Sequence, residues 1–211
     1  MLSFLIADDH EITRIGIIAT IKKIYDDCLI DEAENGKQLF EKLKSKHFDV
    51  LITDLGMPET DDYRLVDTAL LIQPTLHILI FTINKEEIYA ANYLKKGALG
   101  YIEKNSGHEE IAKAIQAVVN GSIYVSPKLT KSYIFGKLQD DDHPFSCLSQ
   151  REREICILLC KGKGLTEIAS MLNLGVSTVG THKARIMHKI GVDNLVELIN
   201  IAQLHSFSGS N

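Results

Sequence analysis

The stretch Asp49–Pro58, "DVLITDLGMP", decides the fold of the first part of the chain. After its first residue comes an apolar run rich in β-branched residues, which is typical of a buried strand. Asp54 stands where this strand should end, and a carboxylate at the end of a core strand costs free energy unless another group stabilises it. The stretch therefore predicts a buried strand, Val50–Thr53, with a polar site at its carboxyl end.

Strand-like and helix-like segments alternate around this stretch over residues 1–120. Such alternation predicts an α/β fold, a doubly wound five-stranded parallel sheet with helices on both faces. Ligands of such sheets bind at the carboxyl ends of the strands. The predicted strands are Leu2–Ala7, Cys28–Glu32, Val50–Thr53, Ile78–Thr82 and Ala98–Ile102, and the predicted helices lie near 12–24, 37–46, 62–72, 86–96 and 108–120.

The remainder of the chain is predicted to be helical after a linker. Residues 121–145 lack a sustained period and include an acidic "DDD" run, so they predict a linker with one short helix near 128–138. Residues 146–208 then predict an all-α four-helix domain. Its second and third helices are separated by a short turn, which is helix-turn-helix geometry. The four predicted helices lie near 149–161, 165–173, 176–190 and 194–205.

Composition and charge limit the classes of function. No run of eighteen apolar residues occurs, so no membrane span is expected, and four cysteines without ordered spacing indicate a reduced, cytoplasmic protein. The net charge of −5 argues against a general nucleic-acid binder. However, the last 67 residues hold seven basic and five acidic residues, whereas the first 144 hold sixteen and twenty-three. The two halves are therefore expected to have different partners.

Charged and hydroxyl side chains follow several of the predicted strands. Asp8 and Asp9 close the first strand and Asp54 closes the third, which would be its neighbour in a doubly wound sheet. Like charges about 4 Å apart repel by about 4 kcal/mol at an effective dielectric of about 20, so a cation must offset them. Mg²⁺ suits oxygen ligands, and Lys104 lies just after the fifth strand. Thr82 ends the fourth strand and adds a hydroxyl at the same edge.

Each of these residues alone has an ordinary explanation, because an aspartate after a strand commonly caps a helix or forms a turn. Together, the segments "ADDH", "DLGMP", "FT" and "GYIEK" resemble the receiver domains of bacterial two-component response regulators. This resemblance implies that Asp54 accepts a phosphoryl group from a sensor histidine kinase and loses it by hydrolysis, so that the protein is not a turnover enzyme. It also implies a Mg²⁺ site formed by Asp8, Asp9, Asp54 and the backbone carbonyl of Gly56, with Thr82, Lys104 and Tyr101 sensing the phosphate.

The third helix of the second domain combines small hydroxyl side chains with basic residues. This pattern suits contacts with base edges and phosphates, although a solvated face of a four-helix domain has the same composition. The segments "LSQRERE", "EIASMLNL" and "KIGV" resemble the LuxR-type helix-turn-helix domain, so the whole chain resembles a NarL/FixJ-class response regulator. The candidate DNA-binding residues are Ser177, Thr178, Thr181, His182, Lys183, Ala184, Arg185 and Lys189.

The last helix carries more apolar residues than one domain core needs. We expect some of them to form a two-fold contact in a homodimer of the phosphorylated protein. Two recognition helices would then lie about 34–36 Å apart on a pseudo-palindromic site in double-stranded DNA. The candidate contact residues are Leu195, Leu198, Ile199 and Ala202.

Two departures from the family patterns leave alternatives open. The receiver pattern usually has a glycine about four residues after "DLGMP", where this chain reads "ETDDY" over residues 59–63.

Gly180 and Ala184 stand where the LuxR pattern commonly has lysines, so the chain could be a receiver-type interaction module whose C-terminal domain binds DNA weakly or not at all. A phosphohydrolase of the haloacid-dehalogenase kind is disfavoured because Gly56 replaces its second aspartate. A nucleotide-binding flavodoxin-like domain is disfavoured by the lack of a glycine-rich loop after the first strand.

Overall fold

A computed structural model of the chain describes residues 1–134, 144–145, 147–205 and 207. The chain divides into two compact units, Met1–Lys137 and Leu138–Asn211. None of the helices in these described ranges has the length and hydrophobicity that a membrane crossing requires.

The first unit contains a five-stranded parallel sheet, as the alternating pattern predicts, and its strand order is β2-β1-β3-β4-β5. The fifth strand begins two residues later than predicted, because Ala98 still closes the preceding helix through a hydrogen bond from its N–H to the Tyr93 carbonyl. The turn between them uses Gly97 at φ +104°. The strands are β1 Leu2–Ala7, β2 Cys28–Ala33, β3 Val50–Thr53, β4 His77–Thr82 and β5 Gly100–Glu103.

The core of the first unit lies on both sides of its central strands. All four residues of β3 are at most 1% exposed, which explains why its sequence is a continuous apolar run rather than an alternating one. Phe4 and Ile6 of β1 pack in one cluster with Ile21 and Ile115 from the surrounding helices. The helices that cover the sheet are α1 Glu11–Ile24, α2 Gly36–Ser45, α3 Asp62–Ile72, α4 Glu86–Lys95 and α5 His108–Val119.

The segment after α5 continues the first unit. The Tyr124 N–H donates to the Leu99 carbonyl at 2.7 Å, next to β5. The sixth helix, α6, spans Pro127–Ile134, and its Leu129 side chain is 1% exposed. Glu86 of α4 accepts a hydrogen bond from the Ser126 N–H at 3.3 Å. The part of the predicted linker up to residue 134 is thus packed structure, and most of its remainder lies outside the described residues.

The described residues of the second unit form four helices, and capping residues set several of their ends. Ser149 and Glu152 form a reciprocal capping box at the start of the first of them. Asn173, at φ +52°, ends the second, and Gly191, at φ +80°, ends the third, since both adopt the left-handed conformation. These helices are α7 Gln150–Cys160, α8 Leu165–Leu172, α9 Val176–Ile190 and α10 Leu195–Leu204.

Candidate functional site

The carboxyl ends of β1 and β3 bring the three predicted carboxylates together. Ala7 pairs with Thr53 in the sheet, so the residues that follow each strand, Asp8 and Asp54, lie side by side. These two side chains are buried, with 1% and 5% of each residue exposed. One ligand atom each from Asp8, Asp9, His10 and Asp54 lies within 4.8 Å of the others. The cluster is thus a concentrated negative charge at the edge of the sheet.

Lys104 is the cation that faces this cluster. Its ammonium nitrogen lies 2.7 Å from Asp8 Oδ2 and 2.6 Å from Asp54 Oδ2. Burial by itself would lower the pKa of Lys104, but hydrogen bonds to the two carboxylates outweigh it and raise that pKa. Burial raises the pKa of Asp54, and the contact with Lys104 offsets only part of this effect. The lysine is therefore charged while it bridges two buried acids.

Thr82 and Tyr101 connect this cluster to the β4–α4 loop. The buried Thr82 hydroxyl counteracts the rise in the pKa of Asp54, and it accepts a hydrogen bond from the Asn84 N–H at 3.5 Å. Tyr101 on β5 is 1% exposed, and its hydroxyl donates to the Asn84 carbonyl at 3.2 Å. Thr82 and Tyr101 thus both contact Asn84, whereas Lys104 contacts the carboxylates directly.

Two residues of the site were missed by the sequence analysis. His10 places Nδ1 2.9 Å from Asp9 Oδ1, and its position directly after Asp8 and Asp9 was the available signal. Asp62 accepts hydrogen bonds from the Gly56 N–H at 2.9 Å to each carboxylate oxygen. Burial raises the pKa of Asp62, and the nearby Asp54 charge raises it further. The signal for Asp62 was the departure from glycine in the "ETDDY" segment.

The donor atoms of the cluster suit a hard divalent cation. Asp8, Asp9 and Asp54 offer carboxylate oxygens, and the backbone carbonyl of Gly56 is two residues from Asp54. Oxygen ligands of this kind are those that Mg²⁺ prefers. A single lysine faces two buried acids, so the excess negative charge also favours a cation.

The predicted DNA-binding residues on α9 differ in how they are presented. Six of them are exposed, whereas His182 and Lys183 are half-buried. The ammonium of Lys189 lies 2.7 Å from Glu152 Oε2 and donates to the Cys147 carbonyl at 3.3 Å, which anchors α9 to the start of α7. The six exposed residues are Ser177, Thr178, Thr181, Ala184, Arg185 and Lys189.

The predicted dimer contact on α10 needs correction. Leu198 is 0% exposed and Ala202 is 4% exposed, so both belong to the core of the second unit and cannot also face a partner. Leu195 and Ile199 are half-buried. Val196, which was not among the candidates, is 65% exposed. Among the residues of this helix whose exposure the structure describes, Leu195, Val196 and Ile199 supply the remaining apolar surface.

Family comparison gives the class of the chain. Residues 4–116 match the response regulator receiver domain, which contains the whole acidic cluster and Lys104. The chain belongs to the response regulators. Residues 146–202 match the luxR family of bacterial regulatory proteins, which covers α7 to α9 and most of α10. The response regulator therefore joins a receiver domain to a LuxR-type DNA-binding domain, and the predicted class is confirmed.

Relatives with both domains match the response regulator over nearly its whole length. The oxygen regulatory protein NreC of Staphylococcus carnosus (strain TM300) is 36% identical over 211 residues, covering 95% of this chain and 96% of the relative. A solved complex of the two-component response regulator RcsB with DNA has a TM-score of 0.71 at 28% identity, covering 96% and 98%. RcsB from Salmonella enterica serovar Typhimurium, bound to promoter DNA with the phosphomimetic BeF₃⁻, has a TM-score of 0.73 at 28% identity and the same coverage.

Proposed function

We propose that this response regulator is switched by phosphorylation of Asp54 from a sensor histidine kinase. The observation that carries the proposal is the placement of Asp54, which is buried beside Asp8 and bridged to it by Lys104. An Asp54 oxygen attacks the phosphorus of the phosphohistidine, and the phosphorus–nitrogen bond breaks as the imidazole leaves. Lys104 then donates to the phosphoryl oxygens, whose charge it stabilises.

Asp8, Asp9, Asp54 and the Gly56 carbonyl would hold Mg²⁺ at this site. When bound, the ion would neutralise charge on the phosphoryl oxygens. His10 lies beside these residues, with its Nδ1 2.9 Å from Asp9 Oδ1. Hydrolysis of the aspartyl phosphate returns the regulator to its starting state, so we do not expect a turnover enzyme.

The phosphoryl group would be sensed by Thr82, Lys104 and Tyr101. A phosphoryl group on Asp54 offers new acceptors to the Thr82 hydroxyl and the Lys104 ammonium. Movement of Thr82 pulls on Asn84, whose carbonyl holds the Tyr101 hydroxyl. The Ser126 N–H, just before α6, donates a hydrogen bond to Glu86, which follows the β4–α4 loop. The β4–α4 loop is therefore the route by which we expect the signal to leave the acidic cluster.

The output would be binding of a homodimer to a pseudo-palindromic site in double-stranded DNA. The exposed hydroxyls of α9 are suited to base edges, and Arg185 is suited to a phosphate or a guanine. Leu195, Val196 and Ile199 on α10 supply the apolar surface for the two-fold contact. The LuxR-type match and the DNA-bound RcsB structures support this output.

Intact-mass measurement after treatment with acetyl phosphate and MgCl₂ tests the phosphorylation site. The parent chain should gain the mass of one phosphoryl group, and Asp54→Asn should not. Asp67→Asn is the matched control, because Asp67 is a surface carboxylate paired with Lys96 and lies away from the acidic cluster. Equal labelling of the parent and Asp54→Asn would show that phosphorylation occurs elsewhere.

A DNA mobility-shift assay tests the output. The treated parent should bind a promoter fragment more tightly than the untreated parent or treated Asp54→Asn. A phosphorylated protein that leaves the DNA unshifted would support the alternative of a receiver-type interaction module.

A further inference from the structure

We propose that Asp62 is a positioning residue that holds the Gly56 peptide for metal binding at Asp54, an inference that rests on the proposed function. The receiver pattern usually has a glycine at about this place, and a glycine has no side chain to make the contact. The proposed role is therefore a property of this chain rather than of the pattern.

The contact joins the Asp62 side chain to the backbone of the loop that follows Asp54, residues 55–61. Both carboxylate oxygens of Asp62 lie 2.9 Å from the Gly56 nitrogen. A hydrogen bond to an ionised carboxylate is about twice as strong as one between neutral groups. Asp62 is only half-buried, so it is not a member of the protein core, and its carboxylate is directed at one backbone amide.

Gly56 is the residue in this loop that most needs such a partner. It adopts φ +82°, a region that glycine enters freely and other residues avoid. Apart from its two chain neighbours, no atom lies within 4 Å of where a Cβ would be, so no close approach by another part of the chain requires a glycine here. Without the Asp62 contact, the peptide planes on either side of Gly56 would sample several orientations. The Gly56 carbonyl would then be less well oriented for a metal ion, and the affinity for the ion would fall.

The loop is fixed independently at two other points. The Pro58 carbonyl accepts a hydrogen bond from the Gly36 N–H at 2.9 Å. The Asp62 backbone carbonyl accepts one from the Tyr93 hydroxyl at 3.4 Å. These bonds hold the far part of the loop and the start of α3, from which the Asp62 side chain reaches back to Gly56. Loss of the carboxylate alone should therefore free Gly56 while leaving the rest of the loop in place.

Magnesium affinity of the full-length, unphosphorylated chain is the direct test. It can be measured by calorimetric titration with MgCl₂ alone. Groups that orient a metal ligand typically change metal affinity by 10–100-fold, so Asp62→Ala should raise the dissociation constant about tenfold. Asp62→Asn keeps an oxygen acceptor for the Gly56 N–H and should stay within about threefold of the parent. Asp61→Asn is the matched control, because it removes the neighbouring charge, and it should also stay near the parent.

Two results would overturn the proposal. An unchanged affinity in Asp62→Ala would show that the contact does not position the metal ligand. An equal loss in Asp62→Asn and Asp62→Ala would assign the effect to charge rather than to the hydrogen bond. Far-ultraviolet circular dichroism verifies folding of each variant, and Asp62→Gly, with the residue of the family pattern, serves as a second deletion of the carboxylate if Asp62→Ala misfolds.

The rate of phosphorylation by acetyl phosphate gives a second readout. Asp62→Ala should be slow at low MgCl₂ and should approach the parent rate at saturating MgCl₂. A rate that stays low at saturation would contradict a role confined to metal binding. If the parent binds magnesium but is never phosphorylated, the proposed function fails, whereas the inference about Asp62 is judged by the titration alone.

Discussion

At the scale of single residues, the acidic cluster was predictable because strand ends in a parallel sheet are fixed by register. Once Leu2–Ala7 and Val50–Thr53 are neighbours, Asp8 and Asp54 must meet. The contact of Asp62 was not predictable in the same way. It depends on the path of a loop through a glycine at positive φ, and no periodicity in the sequence reports such a path.

Removal of Lys104 tests how the cluster is stabilised. Lys104→Ala leaves Asp8 and Asp54 as neighbouring buried acids without their cation, which should cost about 3–5 kcal/mol in the free energy of unfolding. Urea denaturation without added metal measures this loss. Lys96→Ala breaks an ion pair with Asp67, which is 54% exposed, and should cost about 0–1 kcal/mol. Similar losses in the two variants would mean that the acids do not depend on Lys104.

At the scale of elements, apolar patterns located the strands and helices to within about two residues. The clearest case is β3, whose observed bounds equal the predicted ones because the strand is buried on both faces. Ser126 and the α6 helix that follows it show the limit of such patterns. Their structure depends on tertiary partners, such as Glu86 for the Ser126 N–H and the core for Leu129, and local sequence does not contain them.

The start of α7 should give the second unit a measurable dependence on pH. The contact with Lys189 and the Ser149 backbone lower the pKa of Glu152 from 4.5 to about 2. A carboxyl whose pKa is lower in the folded state stabilises that state above its unfolded pKa, and the stabilisation is lost as pH falls from about 4.5 towards 2. Glu152→Gln should therefore destabilise α7 by about 1–2 kcal/mol at pH 7, and its difference from the parent should shrink in acid.

Hydrogen exchange of α7 peptides in the full-length chain, followed by mass spectrometry, measures this difference near neutral pH and again near pH 3. Glu154→Gln is the control, because Glu154 pairs with Arg151 on the surface, with 42% of its side chain exposed. A loss in Glu152→Gln that stays constant as the pH falls would contradict the assignment of the stabilisation to the ionised Glu152.

At the scale of the whole molecule, a net charge of −5 conceals two units with different tasks. The acidic excess belongs to the first 144 residues, which include the acidic cluster, whereas the last 67 residues carry a small basic excess. The sequence could assign these tasks because short motifs in each unit resemble those of a known family. It could not show which basic residues form ion pairs within the domain, because the pair between Lys189 and Glu152 depends on the packing of α9 on α7.

The ion pair between Lys189 and Glu152 leads to a prediction of how DNA binding responds to salt. Each phosphate contact adds about 0.9 to the slope of log affinity against log salt, because binding releases condensed counterions. Arg185 is exposed on α9, so Arg185→Ala should reduce the slope by about 0.9 for each bound domain. Lys189→Ala should leave the slope unchanged but lower the melting temperature, since Lys189 is bonded to Glu152. Fluorescence anisotropy on a duplex of arbitrary sequence suffices, and a larger slope change in Lys189→Ala than in Arg185→Ala would place the phosphate contact on Lys189 instead.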